Sequence, residues 1–203
     1  MVEQLDHRLF LFLNSINSPF WDKVMNFMSL VAVWIPMYLA IMIFLAIRYK
    51  KRFWIILLFI ILAVVLSDQT SVFIKNAFDR PRPCHESSLQ GLVHLVNGRC
   101  GGMYGFVSSH ATNSFTVALL SLLLIRNRWY TVFIIIWATA VSYSRIYLGV
   151  HYPGDVLGGA LLGTFIGWGV YKMYEAADRL IYPPTSAGAD LQSVPENYNE
   201  HVL

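Results

Sequence analysis

From Val24 to Ile47 the chain carries no charged side chain. That run exceeds the roughly 20 apolar residues a helix needs to cross a bilayer. Four more apolar stretches follow: Phe53 to Lys75, Ser108 to Ile125, Trp129 to about Tyr147, and Pro153 to Tyr171. Composition agrees, since 56% of the 203 residues are hydrophobic and only 13% are charged, where soluble domains carry about a quarter charged residues. The expected fold is all-α, a polytopic transmembrane helical bundle of five spans. Pro36 is expected to kink the first of them.

Before the first span, Val2 to Leu13 places Leu5, Leu9, Phe12 and Leu13 on one helical face, with Asp6, His7 and Arg8 largely off it. This predicts an N-terminal amphipathic helix lying in the membrane interface, the sixth helix of the chain. Asn14 to Pro19 breaks it, and Ser18 and Pro19 then suit the N-cap and first turn of the next helix. The chain divides into an interfacial helix (1–18), one membrane domain (19–180) and a polar tail (181–203) expected to be disordered. The acidic start lacks the basic region of a cleavable signal peptide. A net charge of +3 without a long Lys/Arg block excludes nucleic acid as a partner.

Arg48, Lys50, Lys51 and Arg52 follow span one, Arg126 and Arg128 follow span three, and Lys172 and Arg179 follow span five. The positive-inside rule makes that side cytoplasmic. The loops after spans two and four then face outward. Lys75, Arg80, Arg82, Arg99 and Arg145 lie on this outer side against the rule, which is explicable if several of them bind phosphate. Cys84 and Cys100, the chain's two cysteines, share the outward loop of about Ala77 to Gly105 and are expected to pair there, where disulfides persist. The bridge would hold Arg82 against the site.

Three outward segments carry the chemistry: Lys75 to Pro83, Val107 to His110, and Ser144 to Asp155. Cations beside hydrocarbon are costly and point to an anion to be held. Spans three and five start at Ser108–His110 and at His151–Pro153, so both direct N-terminal N–H groups outward, and each is a natural oxyanion site. His151 and Asp155 stand at i, i+4, so the aspartate can fix the ring's tautomer and raise the basicity of its other nitrogen. His151 then suits a nucleophile, and His110 a proton donor to the leaving oxygen. Lys75, Arg82 and Arg145 would neutralise the phosphoryl oxygens, with the Ser108 hydroxyl and the Ser109 N–H completing the cradle. No metal or other cofactor is expected, because fixed cations supply what a metal ion supplies elsewhere.

Lys75-x6-Arg82-Pro83, then Ser108-x-His110, then Ser144-Arg145-x5-His151-x3-Asp155 resembles the three-part signature of the type-2 phosphatidic acid phosphatase and vanadium haloperoxidase superfamily. The middle part usually reads Pro-Ser-Gly-His and here reads Val107-Ser108-Ser109-His110. The resemblance implies phosphate binding by Lys75, Arg82 and Arg145 with Ser108 and Ser109 assisting, His110 as general acid, His151 as nucleophile and Asp155 as its partner. It also implies the activity, hydrolysis of a membrane lipid phosphate or diphosphate through a phosphohistidine. The candidate substrates are undecaprenyl diphosphate, phosphatidylglycerol phosphate, phosphatidic acid and lipid A phosphates. The expected location is a bacterial-type cytoplasmic membrane, with the active site on its extracytoplasmic face. Two alternatives are a vanadate-dependent haloperoxidase and a non-enzymatic lipid-binding or transport protein. A binder would need the cations but not the two histidines and Asp155.

Other polar residues admit plainer readings. Lys75 and Arg145, each taken alone, are ordinary interfacial anchors. Arg80 reads as a solvated loop charge or a partner of the site residues. His85, His94 and His201 read as loop or tail residues in no metal-binding pattern. Asp68, inside span two, is either functional or a buried hydrogen-bond partner. Gly159, Gly163 and Gly167 predict close helix packing.

Overall fold

A computed structural model describes residues 2–183, so the tail from residue 184 onward, with His201, lies outside the described residues. Among the described residues there is no strand, and seven α-helices stand where the sequence predicts six: α1 (Val2–Ser15), α2 (Pro19–Ser29), α3 (Ile35–Tyr49), α4 (Phe53–Phe78), α5 (Ser109–Ile125), α6 (Arg128–Tyr147) and α7 (Pro153–Ile181).

The extra helix comes from the expected first span. Leu30 adopts an extended backbone, and a 3₁₀ turn over Val31–Trp34 precedes α3. The continuous helix from Val24 is therefore replaced by two elements. Pro36 sits in the first turn of α3 rather than kinking a helix interior, the position where its missing N–H costs nothing. Ser18 caps α2 through its hydroxyl, with Pro19 in the first turn.

Side-chain contacts fix two ends of the bundle. At one end Tyr49 Oη donates to Leu124 O (2.7 Å), Arg52 pairs with Asp178 (3.0 Å) and Arg126 donates to Tyr171 Oη (2.7 Å). The basic residues of the short connections gather here. At the other end Lys75 meets Ser109, and Arg80 meets Asp155. Helices α3 to α7 each run between these two ends, so α4, α5, α6 and α7 all deliver a terminus to the second. Leu39, Ile43, Ile47, Leu58, Ile61 and Phe165 are exposed along their flanks, the pattern of a surface covered by lipid rather than water.

The stripe on α1 points outward, with Leu5 67% and Phe12 63% exposed, while Phe10 and Asn14 are buried against the bundle. Asn14 Nδ2 donates to Tyr147 O (2.8 Å) and its Oδ1 accepts from His94 N (2.7 Å). His94 also bonds Asp22 of α2 (2.9 Å). It is thus a tie between the outer loop and the first two helices, not a free loop residue.

The closest helix contact is between α5 and α7. A Cβ added at Gly159 would lie 2.6 Å from Ser108 O, one at Gly167 3.0 Å from Thr116 O, and one at Gly163 would fall on Thr112 O. Only glycine lets the backbones meet in this way. Gly163→Val is therefore expected to cost at least about 1–3 kcal/mol through overpacking. The check is the unfolding midpoint in detergent, with Gly169→Ala, whose added Cβ meets nothing within 4 Å, as a control that leaves the midpoint unchanged or raises it.

Candidate active site

The N-terminal turns of α5 and α7 lie side by side, and Ser108 N–H donates to Asp155 O (3.0 Å). Ser108 is fully buried, and its hydroxyl accepts from Ala111 N as the N-cap of α5. Accepting this bond leaves the O–H of Ser108 free to donate. The serine hydroxyl facing the cations is that of Ser109, which bonds Lys75 Nζ and, at 2.7 Å, Ser71 Oγ. No pattern in the sequence singles out Ser71. It sits four residues before Lys75, one turn back on the same face of α4.

His151 and Asp155 are both buried, and their Nδ1···Oδ2 separation is 3.4 Å. Asp155 Oδ2 also accepts from Tyr152 N–H (3.0 Å), and its Oδ1 accepts from Arg80 Nη1 (2.8 Å). With Nδ1 as the donor to Asp155, Nε2 of His151 keeps its lone pair. Burial, then the charges of Arg82, Arg145 and Lys75, hold the imidazole well below the usual histidine range. The ring is therefore neutral and nucleophilic near neutral pH.

Those three cations lie within electrostatic reach of His151, and His110 interacts with Arg145, His151 and Lys75. Lys75, Arg82, Arg145, His110 and His151 thus lie in one electrostatic neighbourhood. Among the described residues, none of Lys75, Arg82 and Arg145 has a carboxylate within salt-bridge distance, whereas Arg80 has two. Arg82 is held by main-chain carbonyls, Nε to Tyr104 O (3.1 Å) and Nη1 to Cys100 O (3.3 Å). Arg145 reaches Ser29 of α2 with Nη1, while its Nε is buried without a partner. Three unpaired cations with an orphaned buried donor are the signature of a site built for an anion.

Cys84 and Cys100 are joined by a disulfide, with Cα atoms 5.9 Å apart. It closes the loop beside Arg82 and fixes the carbonyl of Cys100 that Arg82 uses. Gly105 lets this loop press on the pair, because a Cβ there would lie 2.8 Å from Asp155 Oδ2 and 3.4 Å from Arg82 Cγ. Asp155 is already engaged by Arg80, Tyr152 N–H and His151. The group Cys84, His85 and Cys100 has both sulfurs bound to each other, which leaves no thiolate for a metal.

A cavity of about 570 Å³ opens beneath the site and runs between α3 and helices α4 to α6. Ser29, Asp68, Ser109 and His110 line its upper part, and Leu45, Leu120 and Leu124 its deep part. Helix α3 packs on the bundle through Tyr38 against Trp137, through Ile41 and the buried Leu45 in the core, and through Tyr49 at Leu124 O. Asp68 faces this space and accepts from its neighbour Gln69 (3.4 Å).

The sequence profile of the PAP2 superfamily matches residues 52–179. A lipid A 4′-phosphatase of Bacteroides thetaiotaomicron is 42% identical over 176 residues, 84% of this chain and 77% of its own length. The crystal structure of LpxE from Aquifex aeolicus superposes with a TM-score of 0.64 at 28% identity, over 81% of this chain and 93% of that one. A PAP2-type phosphatidylglycerolphosphate phosphatase from Bacillus subtilis shares the fold, with a TM-score of 0.67 at 22% identity over 86% and 87% of the two chains.

The depressed His151 titration has a testable sign. In 15N-histidine NMR of the purified protein, His151 stays neutral as pH falls through 6.5, the ordinary histidine value. Arg82→Gln removes the leading charge that opposes protonation, so its midpoint moves up. A wild-type midpoint at or above 6.5 contradicts the electrostatic description.

Proposed function

This chain belongs to the PAP2 superfamily, and we propose that it removes the phosphate monoester of a lipid A-type glycolipid through a phosphohistidine at His151. It is a membrane lipid phosphatase. The observation that carries the proposed mechanism is the trio Lys75, Arg82 and Arg145, without carboxylate partners among the described residues and arranged about a neutral His151. A phosphoryl group supplies the missing negative charge, and its three oxygens match three cations. Support for the lipid comes from the 42%-identical lipid A 4′-phosphatase.

His151 Nε2 attacks phosphorus in line with the leaving lipid oxygen, and His110 gives that oxygen its proton as the P–O bond breaks. Asp155 holds the ring through Nδ1 and stabilises the charge it acquires. Water, deprotonated by His110, then attacks the phosphohistidine, releasing phosphate and restoring both rings. The cations stabilise equatorial charge in both steps, and no step calls on a metal. An acyl chain occupies the apolar cavity beneath His110, where burial contributes about 0.8 kcal/mol per methylene.

The test is phosphate release by the purified protein from lipid A, phosphatidylglycerol phosphate, phosphatidic acid and undecaprenyl diphosphate in detergent. Lipid A is expected to turn over fastest, activity to persist in EDTA, and His151→Ala to lose at least about a thousandfold in kcat. Near-normal turnover by His151→Ala rules out the nucleophile. A loss in EDTA that Mg²⁺ restores rules out the metal-free reading.

The proposed orientation has α3 to α7 crossing a bacterial inner membrane with the site on its extracytoplasmic face; the basic residues at the opposite end of the bundle support it through the positive-inside rule. Gln90 is exposed in the outer loop, and Cys84 and Cys100 are already bonded to each other. A membrane-impermeant thiol reagent is therefore expected to label Gln90→Cys on intact spheroplasts. Labelling only after lysis reverses the orientation.

A further inference from the structure

We propose that Asp6, on the N-terminal helix, and Arg80 are positioning residues for the His151–Asp155 pair, so that α1 completes the active site. This rests on the mechanism above. Residues 2–15 lie outside the segment the superfamily profile matches, and Arg80 is one of the unspecified positions between Lys75 and Arg82 in the first motif.

Asp155 is a carboxylate with 0% exposed side chain, so its charge needs a committed counter-charge. Lys75, Arg82 and Arg145 are occupied by the phosphoryl group during turnover. Arg80 is the cation left for Asp155. Its guanidinium forks, with Nη1 donating to Asp155 Oδ1 (2.8 Å) and Nη2 to Asp6 Oδ2 (2.7 Å). Its plane lies over the Tyr152 ring, 4.2 Å from the centroid, and His7 of α1 stacks on the same ring at 4.8 Å. Burial opposes the Arg80 charge, but Asp155 and Asp6 outweigh it and hold the group above the ordinary arginine range.

Asp6 also reaches the main chain of α7. Its Oδ1 accepts from Gly154 N (2.8 Å), and a Cβ at Gly154 would lie 2.7 Å from its Oδ2. The carboxylate thus occupies the space a side chain would fill, one residue before Asp155. A continuous chain runs from Asp6 through Arg80 and Asp155 to His151. An arginine stem alone is flexible. Binding its second Nη to α1 leaves Nη1 one geometry, and that geometry fixes which oxygen of Asp155 remains for the imidazole.

Asp6→Asn separates positioning from scaffolding, because the amide oxygen still accepts from Gly154 N–H while the carboxylate oxygen that accepts from Arg80 Nη2 is lost. With lipid substrate, kcat is expected to fall about 10–100-fold, with KM and the vanadate inhibition constant within about twofold, because the phosphate cradle is untouched. Arg80→Gln has the same signature. The double variant is no slower than Arg80→Gln alone, since Asp6 acts through Arg80. Asp6→Glu recovers part of the rate. The proposal is overturned by wild-type kcat in Asp6→Asn, by additive losses in the double variant, or by a parallel loss of vanadate affinity, which marks a folding role only. An inactive His151→Ala beside a normal Asp6→Asn sinks this inference and leaves the mechanism standing; an active His151→Ala sinks both.

Discussion

The backbone of α7 rests on α5 along Gly159, Gly163 and Gly167, because a side chain at any of them would run into the carbonyls of Ser108, Thr112 or Thr116. In lipid there is no hydrophobic force to press helices together, so close van der Waals approach supplies the association. The contact also sets the register of two helix N-termini. Ser108 N–H reaches Asp155 O, and from that bond follow the positions of Ser109 and His110 on one helix and of His151 and Asp155 before and in the other. The termini of α4 and α6 then bring Lys75 and Arg145 to the same place.

Charge is distributed in this site by purpose. One arginine, Arg80, is paired twice, and three cations beside it are left without carboxylates. An unpaired cation at a membrane-embedded site is a standing cost, which binding a phosphoryl group offsets. The same cations disfavour the imidazolium form of His151, so the arrangement proposed to hold the anion also keeps the proposed nucleophile unprotonated. The disulfide and Gly105 serve this arrangement from the loop side, one fixing the carbonyl that Arg82 uses and the other letting the loop approach Asp155.

Most of the bundle was legible because the signals are local. Charge-free runs fall on α3 to α7, the boundaries of α5 and α6 agree within a residue, and the glycine spacing of α7 matches its packing face. The break at Leu30 was not legible, since no charged residue, glycine or proline lies beside it and a single serine, Ser29, fits a membrane helix as well as a helix end. The motif residues could be found from spacing, because each lies at a helix end where side-chain direction follows from register. Asp6 and Arg80 could not be assigned in that way. Their contact spans 74 residues of sequence, and an acidic residue on the polar face of an amphipathic helix reads as solvated until the fold shows what it faces. Ser108 was read as a phosphate contact because its type fits; that its hydroxyl also accepts at the start of α5 follows from its N-cap position.

The central claim is that His151 Nε2 is the atom that bonds phosphorus, inside a cradle of Lys75, Arg82 and Arg145. Vanadate adopts the five-coordinate geometry of the transferring phosphoryl group, and such mimics bind tightly. An experimental structure of the protein with vanadate tests the claim most directly. The account predicts vanadium bonded to His151 Nε2, its equatorial oxygens on the three cations and His110 at the apical oxygen opposite. Vanadium bonded to His110 or to Ser109, or held away from His151 with Lys75, Arg82 and Arg145 turned elsewhere, would contradict it.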